Sequence, residues 1–175
     1  FMMVEKFGFA VHEVVSLYLI NLVINMIVAP LLGHVVHRFG ERNTLLFEYT
    51  GLCLVFLAYG GIYMFGWGVV LAATLYVIDH IFFGLALALK TYFQKIADPR
   101  DIAPTAAVAF TINHIAAVGL PASLGYLWLV SPTAVFMLAA AMAAVSFGLA
   151  MMIPRHPEEG NETIFSKFTA AAPAE

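Results

Sequence analysis

Five apolar stretches, over about 12–35, 44–65, 69–94, 103–129 and 132–153, take up nearly all of this 175-residue chain. Each exceeds the roughly 20 residues with which a helix, rising 1.5 Å per residue, covers a ~30 Å hydrocarbon core. Lipid offers backbone N–H and C=O groups no water, so a crossing segment must satisfy them internally, and the stretches predict helices. The expected fold is all-α: a polytopic membrane protein with five transmembrane helices over 1–155 and a cytoplasmic polar tail over 156–175. Only 11% of the residues are charged, against about 25% in a soluble domain. No basic stripe exists that would suit nucleic acid. Cys53, the single cysteine, lies within an apolar run and reads as a buried, inert thiol.

The placement of charge orients the helices. Lys6 precedes the first stretch, and the links around Gly66-Trp67-Gly68 and Val130-Ser131-Pro132 carry no charge. Arg38, Arg42, Lys90, Lys95, Arg100, Arg155 and Lys167 all fall on the opposite side. The positive-inside rule puts that side in the cytoplasm of a plasma membrane of the bacterial inner-membrane kind. The N-terminus is then outside and the C-terminus inside, with Trp67 and Trp128 near the outer boundary. His12 and Glu13 read as an interfacial pair at the outer end of the first span. The tail after Arg155 lacks apolar periodicity and reads as disordered or loosely attached.

The most specific local pattern is the turn Gly33-His34-Val35-Val36-His37-Arg38-Phe39-Gly40-Glu41-Arg42. Gly33 would let helices approach closely, and Gly40 suits a helix end with positive φ. This run resembles the signature loop of the major facilitator superfamily, Gly-x-x-x-Asp-Arg-x-Gly-Arg-Arg. Gly33, Arg38, Gly40 and Arg42 match, while His37 stands for the usual Asp and Glu41 for an Arg. The substitutions resemble the weaker copy of the motif, found between helices eight and nine. The resemblance implies that the chain is helices eight to twelve of such a transporter, part of a six-helix bundle, with an N-terminal helical half missing. It also implies a conformational latch formed by Gly33, His37, Arg38, Gly40 and Arg42, with Glu48 as an alternative partner for the arginines. The segment Ala97–Pro104 is similar to the inner loop between helices ten and eleven. Asp98 and Asp101 are candidate N-caps there, and Pro104 suits a first helical turn.

Polar groups at mid-bilayer depth are costly, about 2.5–3.5 kcal/mol for an Asp at a helix centre, and so point to interior faces. They are Asn21 and Asn25 on one face of the first span, Tyr76, Asp79 and His80 in the third, and Asn113 and His114 in the fourth. Spans one, three and four are therefore expected to surround a polar cavity, with spans two and five facing lipid. In the resembling family the corresponding helices line the substrate path. Each residue also has a plainer role open to it: the asparagines as interhelical bonds, the histidines as satisfied core groups. Asp79, His80 and His114 are the candidates for substrate contact or proton coupling, because histidine titrates near neutrality. Pro30, Pro121, Gly119 and Gly125 allow the bending that alternating access needs.

The function this favours is a secondary active transporter of a small solute, with proton coupling as an option and the bilayer as its surroundings. Two alternatives stay open. His80, His114 and Asp79 are a ligand set for an intramembrane metal enzyme, although no His-Glu-x-x-His pair occurs. A non-catalytic membrane subunit or channel fragment is the other. No nucleotide-binding Gly-x-x-x-x-Gly-Lys loop is present, and no cofactor is expected.

Overall fold

A chain this apolar satisfies its backbone by coiling, and the computed structural model, which describes residues 2–166, is helical almost throughout. The elements are α1 (Met2–Glu5), α2 (Val11–Phe65), α3 (Val69–Gly84), α4 (Leu87–Ile96), α5 (Pro99–Val130) and α6 (Pro132–Met151). Among the described residues the only bridge pairing is Glu158 with Asn161. Four helical stretches among the described residues, Val11–Phe65, Val69–Ile96 (α3 and α4 together), Pro99–Val130 and Pro132–Met151, are long and apolar enough to cross a membrane, and the chain is an all-α polytopic membrane protein.

α2 contains two of the five expected spans. Gly40, at φ +78° and ψ +162°, is its only residue outside helical geometry. That conformation is open to glycine and essentially closed to other residues. It divides α2 into a first arm (11–39) and a second arm (41–65). The arms run back along each other, since Val14 and Leu17 pack into the same core cluster as Val55, Tyr59 and Ile62. The third expected span is also two helices. Its backbone tightens at Leu85 and Ala86, where Leu85 N donates to Phe82 O at 2.9 Å and Ala88 N to Leu85 O at 2.8 Å. Gly84 precedes this break, and Leu32 of the first arm fills the space a Cβ there would need.

Helix ends follow local chemistry. Gly66, at φ +69°, closes α2. Asp98 caps α5 by accepting from Arg100 N at 2.8 Å. Pro99 then occupies the first turn, where its missing N–H costs nothing. α5 therefore starts earlier than the expected boundary at 103. Asp101 lies in the first turn and is not the cap, and Pro104 sits beyond that turn. Ser131 caps α6, its Oγ accepting from Ala134 N at 3.2 Å.

The second arm is the packing centre, contrary to its expected place against lipid. Glu41, Leu45, Glu48, Leu52, Val55, Tyr59 and Ile62 recur at helical spacing along one buried face. α6, also expected at the periphery, packs along this arm through the buried Ala140, Ala143 and Ala150. The reason is size. Lipid tails are as apolar as leucine, so membrane helices associate by close van der Waals fit, which small residues permit. Gly51 leaves room for the Phe82 ring of α3, and Gly60 for Met137 of α6. Gly51→Val is accordingly expected to cost about 1–3 kcal/mol through overpacking against Phe82. The check is a lowered thermal unfolding midpoint of the purified protein in detergent. Cys53 is half-buried in this interface, its thiol 3.7 Å from Ala140 O.

α5 is the least enclosed helix. It packs chiefly on α6, and Trp128 is its only fully buried residue. One end of the bundle gathers α1, the 66–68 link and the α5–α6 turn. The other gathers the Gly40 reversal, the α4–α5 turn and the segment after α6. That last segment corrects the expectation of a loose tail as far as residue 166. Ile164 N donates to Met152 O at 2.9 Å, and Tyr92 Oη donates to Glu162 O at 2.6 Å. Hydrogen bonds from its own backbone, from Ser166 and from Gly160 hold the Glu162 carboxyl below its usual range. Lys167 and the rest of the predicted tail lie outside the described residues.

Candidate functional site

Asp79 lies ten residues beyond Val69, the first residue of α3. That is about 15 Å along the axis at 1.5 Å per residue, half of a ~30 Å hydrocarbon core. It is half-buried and lines a cavity of about 430 Å³. Most of the other walls come from other elements: Met2 and Met3 of α1, Val14 of the first arm, Phe56 and Tyr59 of the second. Pro121, Leu124, Gly125 and Trp128 of α5 and Val135 and Phe136 of α6 complete it, with Tyr76 beside Asp79 on α3. The walls are apolar and aromatic. Tyr59 stacks on Phe136 at 5.1 Å between centroids, and Trp128 meets Phe136 edge-on at 5.7 Å.

The carboxylate of Asp79 accepts no hydrogen bond from any described residue. Its nearest charged neighbour is His80, whose Nδ1 stands 3.8 Å from Asp79 Oδ2. That nitrogen is committed elsewhere, 2.9 Å from the Tyr76 carbonyl, which can only accept. His80 is thus satisfied within its own helix, its ring 4.5 Å from that of Tyr76.

The other residues expected in the pathway divide. Asn21 is fully buried and donates to Tyr76 O at 3.3 Å, and Asn25 donates to Asn21 O at 3.0 Å. Asn21 thus joins the first arm to α3, Asn25 bonds within its own arm, and neither lines the cavity. Asn113 and His114 are exposed on α5. His114 Nδ1 lies 2.9 Å from Phe110 O, with its ring 3.9 Å from that of Phe110. The expected enclosure by spans one, three and four is therefore corrected: only Asp79 and Tyr76 of the predicted set reach the cavity. Its walls include spans two and five, which carry Tyr59 and Phe136. Asp79, His80 and His114 do not converge, and no cluster of three metal-ligating side chains occurs among the described residues.

Sequence reasoning missed the closure at the end of the bundle that holds α1. α1 buries Met2 and Met3 against the cavity. Glu5 accepts from the Trp128 indole N–H. Lys6 Nζ donates to Ile62 O at 2.9 Å and sits 4.3 Å from the Tyr63 ring centroid. His12 and Glu13 are both exposed at the start of α2, and Glu13 also closes the first turn, accepting from Ala10 N at 2.8 Å.

At the opposite end the Gly33–Arg42 loop is held differently from expectation. Gly40 has the positive φ predicted for it. Gly33 is not a contact point, because a Cβ there would meet nothing within 4 Å. His37 and Arg38 are exposed, Arg38 lying 5.7 Å from the Phe39 ring centroid. Neither Arg38 nor Arg42 pairs with Glu48, whose buried Oε2 has no hydrogen-bond partner. The ion pair belongs to Glu41, almost fully buried, which binds Lys95 of α4 at 2.6 Å. Of the two residues that depart from the resembling pattern, His37 and Glu41, it is Glu41 that ties the loop down.

No family model matches the chain, and no curated protein or solved structure shows significant similarity to it.

Proposed function

We propose that this chain is the solute-binding part of a secondary active transporter of the major facilitator type, a carrier and not an enzyme. The observation that supports the reading is Asp79 on the wall of a 430 Å³ cavity at mid-membrane depth. An intramembrane carboxylate is retained where it meets a substrate, an ion or a proton. The volume falls in the roughly 300–1,000 Å³ range of small-molecule sites. Pro121 and Gly125 lie in the cavity wall, on a helix with little packing to restrain it, which suits rocking about a fixed site. The likeness of the Gly33–Arg42 turn to the family's loop supports the type.

In this reading α5 and the outer face of the first arm are covered by a further, N-terminal helical half. Asn113 and His114 then face protein and not acyl chains, which spares the cost of polar groups in lipid. The basic end of the bundle is cytoplasmic, in a plasma membrane of the bacterial inner-membrane kind, and α1 faces outside.

The test is uptake by proteoliposomes holding the full natural protein. A panel of labelled small organic cations, organic anions, amino acids and sugars is offered, with and without an imposed proton gradient. Saturable uptake of at least one solute is expected. Uptake of every solute at the rate of protein-free liposomes overturns the proposal.

A further inference from the structure

We infer that the cavity takes a lipophilic organic cation, such as an aryl-substituted quaternary or tertiary ammonium. The inference rests on the reading of this cavity as a solute site and deepens it by naming the chemical class of the solute.

Charge and surface decide the class. Among the described residues Asp79 is the only charged side chain in the wall, and no described Lys, Arg or His joins it there. An anionic solute would therefore meet a like charge with nothing to offset it. A sugar would find few partners for its hydroxyls, since Tyr59, Tyr76 and Asp79 are, besides Trp128, the only described wall residues with polar side chains. The Trp128 indole N–H is already given to Glu5. A neutral apolar solute would fit the walls but leave the carboxylate desolvated and unpaired.

A cation with an apolar body meets both demands. Its charge pairs with Asp79, and its bulk packs on rings. Phe56, Tyr59, Tyr76, Trp128 and Phe136 supply aromatic faces from four helices. Ring faces attract ammonium groups within about 6 Å, most strongly where water is excluded. The Tyr59–Phe136–Trp128 run is continuous, each ring within 6 Å of the next, so the cation is offered a wall and not a single contact. His80 does not compete for the carboxylate by hydrogen bonding, because its Nδ1–H is held by the Tyr76 carbonyl.

The experiment is isothermal titration of the full natural protein in detergent with 3-hydroxyphenyltrimethylammonium and its uncharged isostere, 3-tert-butylphenol. The two share a shape and differ in charge. The cation is expected to bind at least about tenfold more tightly than the phenol. Asp79→Asn abolishes that preference, and Asp79→Glu retains it. Phe136→Leu, which keeps an apolar side chain and removes a ring, weakens the cation several-fold while leaving the phenol within about twofold; it serves where Asp79→Asn does not fold. Equal binding of the two probes, binding of neither, or a preference that survives Asp79→Asn overturns the inference. A cation that binds with the predicted pattern but is not carried into proteoliposomes leaves the site standing and removes the transporter reading. Saturable uptake of some other solute alongside no cation binding does the reverse.

Discussion

Asp79→Asn is expected to lower the rate of solute uptake at least about thirty-fold while leaving the protein as stable as before, or slightly more so. The two halves of that expectation have opposite physical origins. Counted along α3 the side chain falls near the middle of an apolar run, and no described residue donates a hydrogen bond to its carboxylate. As a structural element it is a liability, since an acidic residue at a helix centre costs about 2.5–3.5 kcal/mol on insertion. The amide is nearly isosteric and carries no charge, so insertion and packing become easier. Function moves the other way. Removing one partner of a desolvated charge pair costs about 2–5 kcal/mol, and 1.4 kcal/mol is a factor of ten. Uptake in proteoliposomes and thermal unfolding in detergent, measured on one preparation, separate the cases. A variant that is destabilised and inactive makes Asp79 a structural residue. A variant that is stable and fully active takes it out of the mechanism.

The helices themselves were legible because the governing cost is large and local. An unpaired backbone group in lipid costs several kcal/mol, and apolar runs over 12–35 or 132–153 leave no other solution. The start of α5 was legible only in part: Asp98 and Asp101 were both cap candidates, and Asp98 is the cap. What escaped the sequence was the facing of each helix. Polar residues were read as markers of a cavity, and that holds for Asp79 and Tyr76. Asn21 answers a different need, bonding one helix to the next through Tyr76 O. Conversely, a shortage of polar groups in the second arm and α6 was read as exposure to lipid. Small residues carried the relevant signal, since Gly51, Gly60, Ala140 and Ala143 set which helices can approach.

Two further features depend on contacts that no local pattern encodes. Tyr59 in an apolar run looks like any membrane tyrosine, and only Phe136 stacked on it makes it part of a wall. The Glu5–Trp128 hydrogen bond joins residues 123 positions apart. Glu41 illustrates a milder failure. Its charge was visible as a departure from the family loop, but its partner, Lys95, could be identified only once α4 had been placed beside the reversal.

The two glycines of that loop are expected to respond to alanine with opposite signs. Both belong to the turn that resembles the major facilitator signature, and neither has an atom within 4 Å of where a Cβ would stand. Steric clash with neighbours is therefore removed from the comparison, and only the backbone remains. Gly33 is helical, so Gly33→Ala reduces the freedom of the unfolded chain and adds a better helix former, a gain of up to about 1 kcal/mol. Gly40 sits at φ +78° and ψ +162°, a conformation that costs other residues about 1–3 kcal/mol. It is also the one non-helical residue at which α2 doubles back, so the strain cannot be shared along a longer turn. Gly40→Ala either bears that strain or straightens the reversal. Straightening would pull Glu41 from Lys95 and part the arms that enclose the cavity. A large fall in the thermal midpoint in detergent is expected for Gly40→Ala, against an unchanged or raised midpoint for Gly33→Ala. Equal midpoints for the two variants would show that the reversal does not depend on the backbone freedom of Gly40.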